Sequence, residues 1–326
     1  SLNIKRGESY GIAGESGCGK TTLLKVMMGA HKNPLMIDEG FVKFSFKKNE
    51  KLISKDEVDP LKWSELSYIP QGSMHVLNPV RKIKSTFHDF LLTNSKISKS
   101  DSYDISKSYI RDLGLSENVL QSYPHQLSGG MRQRVTIALS TILSPEIVFA
   151  DEPTTALDVV VQKNVINLLN QIQSKKKCTI VLITHDLGVH ANFSNVIGIL
   201  YAGKLVEESD KKSIINNPLH PYTKYLVNSL PTFDSKKSIV TIPGRPPALD
   251  NPPEGCRFHL RCPIATTQCQ KIEPQLVLKR DNHKCQICGD KATQVHHLKY
   301  AKHQIGKEPI DWLISICKPC HDKQHN

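Results

Sequence analysis

An α/β fold on a parallel sheet is what this sequence predicts, and three observations predict it. Ile147–Ala150 and Thr179–Thr184 are short apolar runs rich in β-branched residues, the texture of strands covered on both faces. Between them, Val159–Gln173 repeats its apolar residues at helical spacing. Glu8–Ala13 leads through a glycine-rich turn into Thr21–Met28, a strand, a loop and a helix. Strands alternating with helices form parallel sheets, because each crossover must return the chain to the same end.

The elements follow in order. Ser1–Gly7 reads as the approach to the first strand, and an N-terminus truncated relative to a complete domain is expected. Residues 74–140 read as helical, with Ile110, Leu113 and Leu115 at helical spacing, and form an inserted subdomain. From Pro231 the texture changes. Ile242–Pro247 and Asn251–Pro253 are too proline-rich for a regular helix or a central strand. A second change comes near Arg280. Residues 281–326 hold six of the fourteen histidines and four of the nine cysteines, so they form a module of their own. The expected division is 1–230, 231–278 and 279–326.

The composition is that of a globular protein, with 39% apolar and 23% charged residues. No run of about eighteen apolar residues is present to span a membrane. A secretory leader is not recognisable either. The net charge of +12 comes from lysines scattered in short groups such as Lys175–Lys177, which fits a solvated surface as well as a polyanion partner. Cysteines cluster at 256, 262, 269, 285, 288, 317 and 320, a pattern that in a protein without a secretory leader favours metal over disulfides.

Gly14-Glu15-Ser16-Gly17-Cys18-Gly19-Lys20-Thr21 fits the phosphate-binding loop between a strand and a helix. Its glycines let backbone N–H groups converge on phosphate oxygens, the helix start adds a favourable dipole, and Lys20 adds a charge. The hydroxyl of Thr21 is a Mg²⁺ ligand in such a loop. Asp151, at the end of an apolar strand, would hold the same Mg²⁺, and Glu152 would orient or deprotonate the attacking water. His185, after the next strand, would reach the γ-phosphate, and Gln71 would touch metal and water. Each is common elsewhere as a surface or structural residue; their company in one chain carries the reading. Phosphoryl transfer needs charge neutralisation and in-line positioning, and this set supplies both.

These motifs, with Leu127–Arg134 (LSGGMRQR) and Thr155–Asp158, resemble the ATP-binding cassette (ABC) ATPases over Gly14–Thr22, Gln71, Ile147–Pro153 and His185. Leu77–Val80, Tyr201–Glu208, His220–Thr223, Pro243–Pro247 and Cys256–Cys269 narrow the resemblance to the ATP-binding subunit of an oligopeptide/dipeptide (or nickel) ABC importer, over about residues 1–278. It implies a cytoplasmic subunit, peripheral on the inner face of the cell membrane and docked on membrane-spanning permease subunits. It also implies a second ATP-binding subunit, like or unlike this one, and two ATP molecules held head-to-tail. Ser16, Gly17, Cys18, Gly19 and Thr22 then join the phosphate grip, while Ser128, Gly129, Gly130 and Gln133, with Asp158, address nucleotide across the pair. Members of that family carry a longer N-terminal segment with an aromatic that stacks on adenine, so weakened ATP affinity is expected of this chain.

The same resemblance implies that Cys256, Cys262 and Cys269, with a fourth thiolate, hold a [4Fe–4S] cluster; zinc, or a metal-free arm, are the alternatives. Cys285 is the candidate fourth ligand. Cys285 also opens a second motif, Cys285-x2-Cys288 with Cys317-x2-Cys320, whose spacing signals structural zinc. With His296-His297 between the pairs and His321 after them, residues 279–326 resemble an HNH endonuclease of the ββα-metal fold. That resemblance makes His297 the general base, makes His296 and His321 ligands of a catalytic divalent metal, and makes DNA the substrate. Trp312 stands where the family has its asparagine, and residues 281–326 carry seven lysines against five acids, weakly basic for a DNA binder. Transport is therefore the leading expectation; a nuclease-linked ATPase, or an incidental fusion with a passive tail, are the alternatives.

Overall fold

The computed structural model describes residues 2–29, 37–46, 50–52, 61–72, 76–230, 242–272, 294–297 and 313–316, with backbone alone at 50–52, 294–297 and 313–316. The chain divides into two compact units, one of Ser1–Ala13 with Gly19–Ile197, the other of Gly14–Cys18 with Gly198–Asn326.

In the first unit β1 (Ser9–Ala13) precedes α1 (Lys20–Met27), and a small hairpin of β2 (Lys43–Ser45) and β3 (Glu50–Leu52) follows. The chain continues through β4 (Leu66–Ile69), α2 (Ile83–Asn94), α3 (Lys99–Asp112), α4 (Gly129–Thr141), β5 (Ile147–Asp151), α5 (Val159–Lys176), β6 (Thr179–Ile183) and α6 (Leu187–Phe193). Strands β4, β5, β6 and β1 lie side by side in that order, all parallel. The sheet centre is dry: all five residues of β6 and all five of β1 are buried. Burying each Val, Leu or Ile there is worth roughly 2 kcal/mol, so the sheet is the main source of cohesion.

The register positions the chemistry. Ile69 lies opposite Ala150, Asp151 opposite Ile183, and Ile183 opposite Ile12. The carboxyl ends of four strands therefore finish on one line, the edge where open α/β sheets bind ligands. Two steps beyond Ile69 comes Gln71, two beyond Ala150 comes Glu152, and two beyond Ile183 comes His185.

The stretch expected to be helical over 74–140 is helical in three pieces with irregular connections. Pro79 lacks the N–H a helix interior needs, Gly114 (φ 70°) stops α3, and Pro124 sits in a 3₁₀ turn before the last piece. Ser98 caps α3 by accepting from the Asp101 N–H, and α2, α3 and α4 bury Phe87, Leu91, Ile110 and Val135 in the same core as β5 and β6.

The second unit holds β7 (Val196–Tyr201) from Gly198 onward and β8 (Lys204–Asp210), joined through Ala202 (φ 45°) and Gly203 (φ 80°), the two left-handed residues of a tight hairpin. Asp210 caps α7 (Lys211–Asn216), and the His220 ring nitrogen caps α8 (Pro221–Asn228) by accepting from the Tyr222 N–H at 3.1 Å. Phe258 anchors the proline-rich arm: it is buried, edge-on to Tyr201 at 5.1 Å and 5.5 Å from Tyr222. The arm also carries α9 (Thr267–Lys271), and β9 (Gln294–His297) pairs antiparallel with β10 (Leu313–Ile316). Among the described residues, no helix is long and apolar enough to cross a membrane.

Candidate nucleotide site

Lys20 is buried in the first turn of α1, and the Thr21 hydroxyl donates to Asp151 Oδ1 at 3.1 Å. The Tyr68 hydroxyl, from β4, donates to the other oxygen of the same carboxylate at 3.2 Å. Asp151 is almost wholly buried at the end of β5. Burial pushes its carboxyl upward, and the bonds from Thr21 and Tyr68 oppose that by favouring the charged form. A serine or threonine hydroxyl beside a buried carboxylate is an oxygen donor set of the kind Mg²⁺ takes, so these residues fit that cation.

Glu152 is built differently. Its backbone adopts φ 44°, uncommon for a residue with a side chain, and its N–H donates to the carbonyl of Ile183 at 2.8 Å. Its Oε2 accepts from the Thr155 hydroxyl at 2.8 Å and lies 3.5 Å from Gln71 Nε2; its Oε1 lies 3.3 Å from His185 Nδ1. The structure thus brings Gln71, Glu152 and His185 together around one carboxylate. Such a carboxylate can take a proton from a bound water while an amide and an imidazole hold the water and the leaving charge. Tyr68 and Thr155 were not singled out from sequence as parts of this group. Tyr68 had a signal available, three residues before Gln71 on a strand ending at the same edge.

Ser128 begins α4 as its cap, accepting from the Met131 N–H at 3.3 Å, and Asp158 does the same for α5 through the Val161 N–H at 2.9 Å. The two helix starts touch: a Cβ on Gly130 would lie 2.7 Å from Val161 Cγ1, so only glycine fits there. Gly129 and Gly130 keep the first turn of α4 bare of side chains, with backbone N–H groups available to an anion. Gln133, one turn beyond Gly129 and Gly130, is buried with its Nε2 unpartnered.

In the second unit, the remaining residues of the phosphate-binding loop form the turn Gly14–Cys18, which includes Ser16 and Gly17, closed by the Cys18 N–H donating to the Glu15 carbonyl at 3.3 Å. Gly14 has no alternative, since a Cβ would lie 2.2 Å from the Leu200 carbonyl oxygen. Gly19 (φ 99°) and Thr22 continue the loop into α1 in the first unit.

Cys256, Cys262 and Cys269 are free thiols on the arm, and the Cys256 N–H donates to the Cys269 carbonyl at 2.8 Å. Burial raises the thiol pKa of Cys256 and Cys262, favouring the thiol over the thiolate. Among the described residues, no three His, Cys, Asp or Glu side chains converge as a metal site. Cys285, Cys288, Cys317, Cys320 and His321 lie outside the described residues. For His296 and His297 the backbone alone is described: they pair with Ile314 and Leu313 across the two-stranded ladder.

The chain is similar to known proteins. The family described as "ABC transporter" matches residues 1–155, "Oligopeptide/dipeptide transporter, C-terminal region" matches 206–269, and "HNH endonuclease" matches 285–326. The chain is 38% identical over 289 residues to the dipeptide transport ATP-binding protein DppD of Bacillus subtilis, covering 87% of this chain and 85% of that one. It is 35% identical over 280 residues to the oligopeptide transport ATP-binding protein OppD of Salmonella typhimurium, covering 84% and 82%. Among solved structures, the dimeric ATP-binding cassette MJ0796 bound to ADP and Pi is similar at TM-score 0.55 and 27% identity, over 64% of this chain and 88% of that one. A buried lysine opening α1, a threonine–aspartate pair and a glutamate held by glutamine, threonine and histidine, in a chain with these likenesses, make it a member of the ABC transporter family: an ABC-type ATPase of the ATP-binding subunit kind.

Proposed function

We propose that this chain hydrolyses ATP to drive import of dipeptides, oligopeptides or related small solutes through membrane permease subunits. The observation that carries the reading is the grouping of Gln71, Thr155 and His185 on Glu152, next to the Thr21–Asp151 pair. Lys20 and the turn Gly14–Gly19 hold the phosphates, with Thr22 beside them. Thr21 and Asp151 hold Mg²⁺, which when bound neutralises phosphate charge. Glu152 takes the proton of the attacking water, Gln71 orients that water, and His185 faces the γ-phosphate. Ser128, Gly129 and Gly130, with Asp158, address the nucleotide of a second ATP-binding subunit, so each chain supplies half of two sites. The likeness to a dimeric cassette supports this pairing. The working place is the cytoplasmic face of the cell membrane. We divide the chain into the ATPase domain at 1–230, the arm at 231–278 and a third module at 279–326.

The test is ATP-dependent uptake of a labelled dipeptide by vesicles carrying the subunits with their permease. Glu152→Gln should retain ATP binding and lose turnover by about 10²- to 10⁴-fold, the usual worth of a general base. Turnover at the wild-type rate would overturn the assignment of Glu152.

The match of residues 285–326 to the HNH endonuclease family favours a second activity. In that reading Cys285, Cys288, Cys317 and Cys320 hold zinc, His296 and His321 hold a catalytic metal, and His297 activates water against DNA. Cys285 alternatively completes a four-thiolate cluster with Cys256, Cys262 and Cys269. Mn²⁺-dependent nicking of plasmid DNA, lost in His297→Ala, would establish the nuclease. Absence of nicking by the wild-type chain would leave transport as its one activity.

A further inference from the structure

The phosphate-binding turn has supports that its own motif does not contain. Arg261, on the arm between Cys256 and Cys269, donates from Nη1 to Glu15 Oε2 at 2.7 Å and from Nη2 to Glu15 Oε1 at 3.0 Å. This is the two-pronged guanidinium–carboxylate geometry, stronger and more directional than a lysine contact. The guanidinium is itself fixed: its Nε donates to the Pro243 carbonyl at 2.7 Å and its Nη1 to the Tyr201 hydroxyl at 3.2 Å. The Arg261 side chain is buried, so removing its partner would leave a charge without water or counterion. Two further bonds reach the same turn. The Glu15 N–H donates to the Tyr222 hydroxyl at 2.8 Å, and the Gly203 N–H donates to the Cys18 carbonyl at 2.9 Å. Residues from 201 to 261 thus grip both ends of a five-residue turn whose N–H directions decide how it meets phosphate. Sites of this kind tolerate only about half an ångström of looseness.

We propose that Arg261 is a positioning residue for ATP binding: through its fork on Glu15, the C-terminal arm sets the shape of the turn Gly14–Cys18. In this role Arg261 acts through Glu15, whose carboxylate it holds. This rests on the ATPase assignment and goes beyond it, because it makes the arm, 246 residues away in sequence, part of the nucleotide grip.

The experiment uses the full chain with Glu15→Gln, Arg261→Lys and the double variant, measuring ATP affinity by titration with a fluorescent ATP analogue, together with KM and kcat. Glu15→Gln keeps side-chain size and removes the charge of the fork. It should raise Kd and KM about tenfold, equivalent to about 1.4 kcal/mol, with kcat at saturating ATP within about twofold of wild type. Arg261→Lys should fall between, and the double variant should be no weaker than Glu15→Gln, because both changes cut one link. A lowered melting temperature with Kd unchanged in Glu15→Gln would overturn the proposal and leave the fork as a purely structural bridge. If the wild-type chain bound no ATP, the ATPase assignment itself would fall, which is a different result from unaltered variants of an ATP-binding wild type.

Discussion

Acid should weaken this protein through a histidine that no mechanism needs. His190, in α6, is completely buried, with Nδ1 3.1 Å from the Ser194 hydroxyl and Nε2 3.3 Å from the Thr184 carbonyl. Burial holds its pKa down at about 4 against an ordinary 6.5; the Thr184 and Ile12 backbone and Asp186 pull it upward, and Lys20 adds to the depression. As pH falls, the unfolded chain takes up this proton near 6.5, whereas the native chain refuses it until about 4. The unfolded state binds more protons across that window, so stability present at pH 7 is lost as pH falls through it. At 1.36 kcal/mol per pKa unit, the loss from His190 integrates to about 2 kcal/mol between pH 7 and 5, and to about 3 by pH 4. The assay is guanidinium unfolding of the wild-type chain and of His190→Gln at pH 7 and 5. His220, likewise pushed down to about 4 by burial, and the carboxylates contribute to the acid loss of both proteins. The variant should start less stable and lose about 2 kcal/mol less between the two pH values. An equal loss in both would refute the claim that His190 stays neutral in the fold.

Two further outcomes follow from contacts at the nucleotide site. Tyr68→Phe removes one of two hydroxyl donors to Asp151, so its carboxyl should rise further and the acid limb of the ATPase pH profile should move to higher pH; unfolding should cost about 1.5–3 kcal/mol less than in wild type. Gly130→Ala drives a methyl to 2.7 Å from Val161 Cγ1 and should destabilise the α4–α5 contact by about 1–3 kcal/mol, read as a lower denaturant midpoint at unchanged slope.

The legible parts of this fold were those where burial is continuous. Strands β5 and β6 and helix α5 announce themselves because a buried central parallel strand is a nearly unbroken apolar run and the crossover helix shows one face to the sheet. Strand β4 is four residues long and buries Ser67, so it carries neither an apolar run nor an alternation. The gathering of Gln71, Glu152 and His185 was legible as motifs, but their distances depend on register, which appears only when the strands are paired. The Arg261–Glu15 fork had no local signal at all, since its partners belong to segments whose neighbourhood is set by the tertiary fold.

Asp151 and Glu152 are neighbours in the chain but face different company, one Thr21 and Tyr68, the other Gln71, Thr155 and His185. Their division of labour comes from the backbone: Asp151 ends the extended β5, and at Glu152 the chain turns into a left-handed conformation that swings the next carboxylate away. Deleting a single residue between Ile147 and Ala150 would draw Asp151 back to the register of Ala150, between Ile69 and Leu182, and Glu152 to that of Asp151. Such a protein would keep every residue of its catalytic inventory and lose the sense in which they are read.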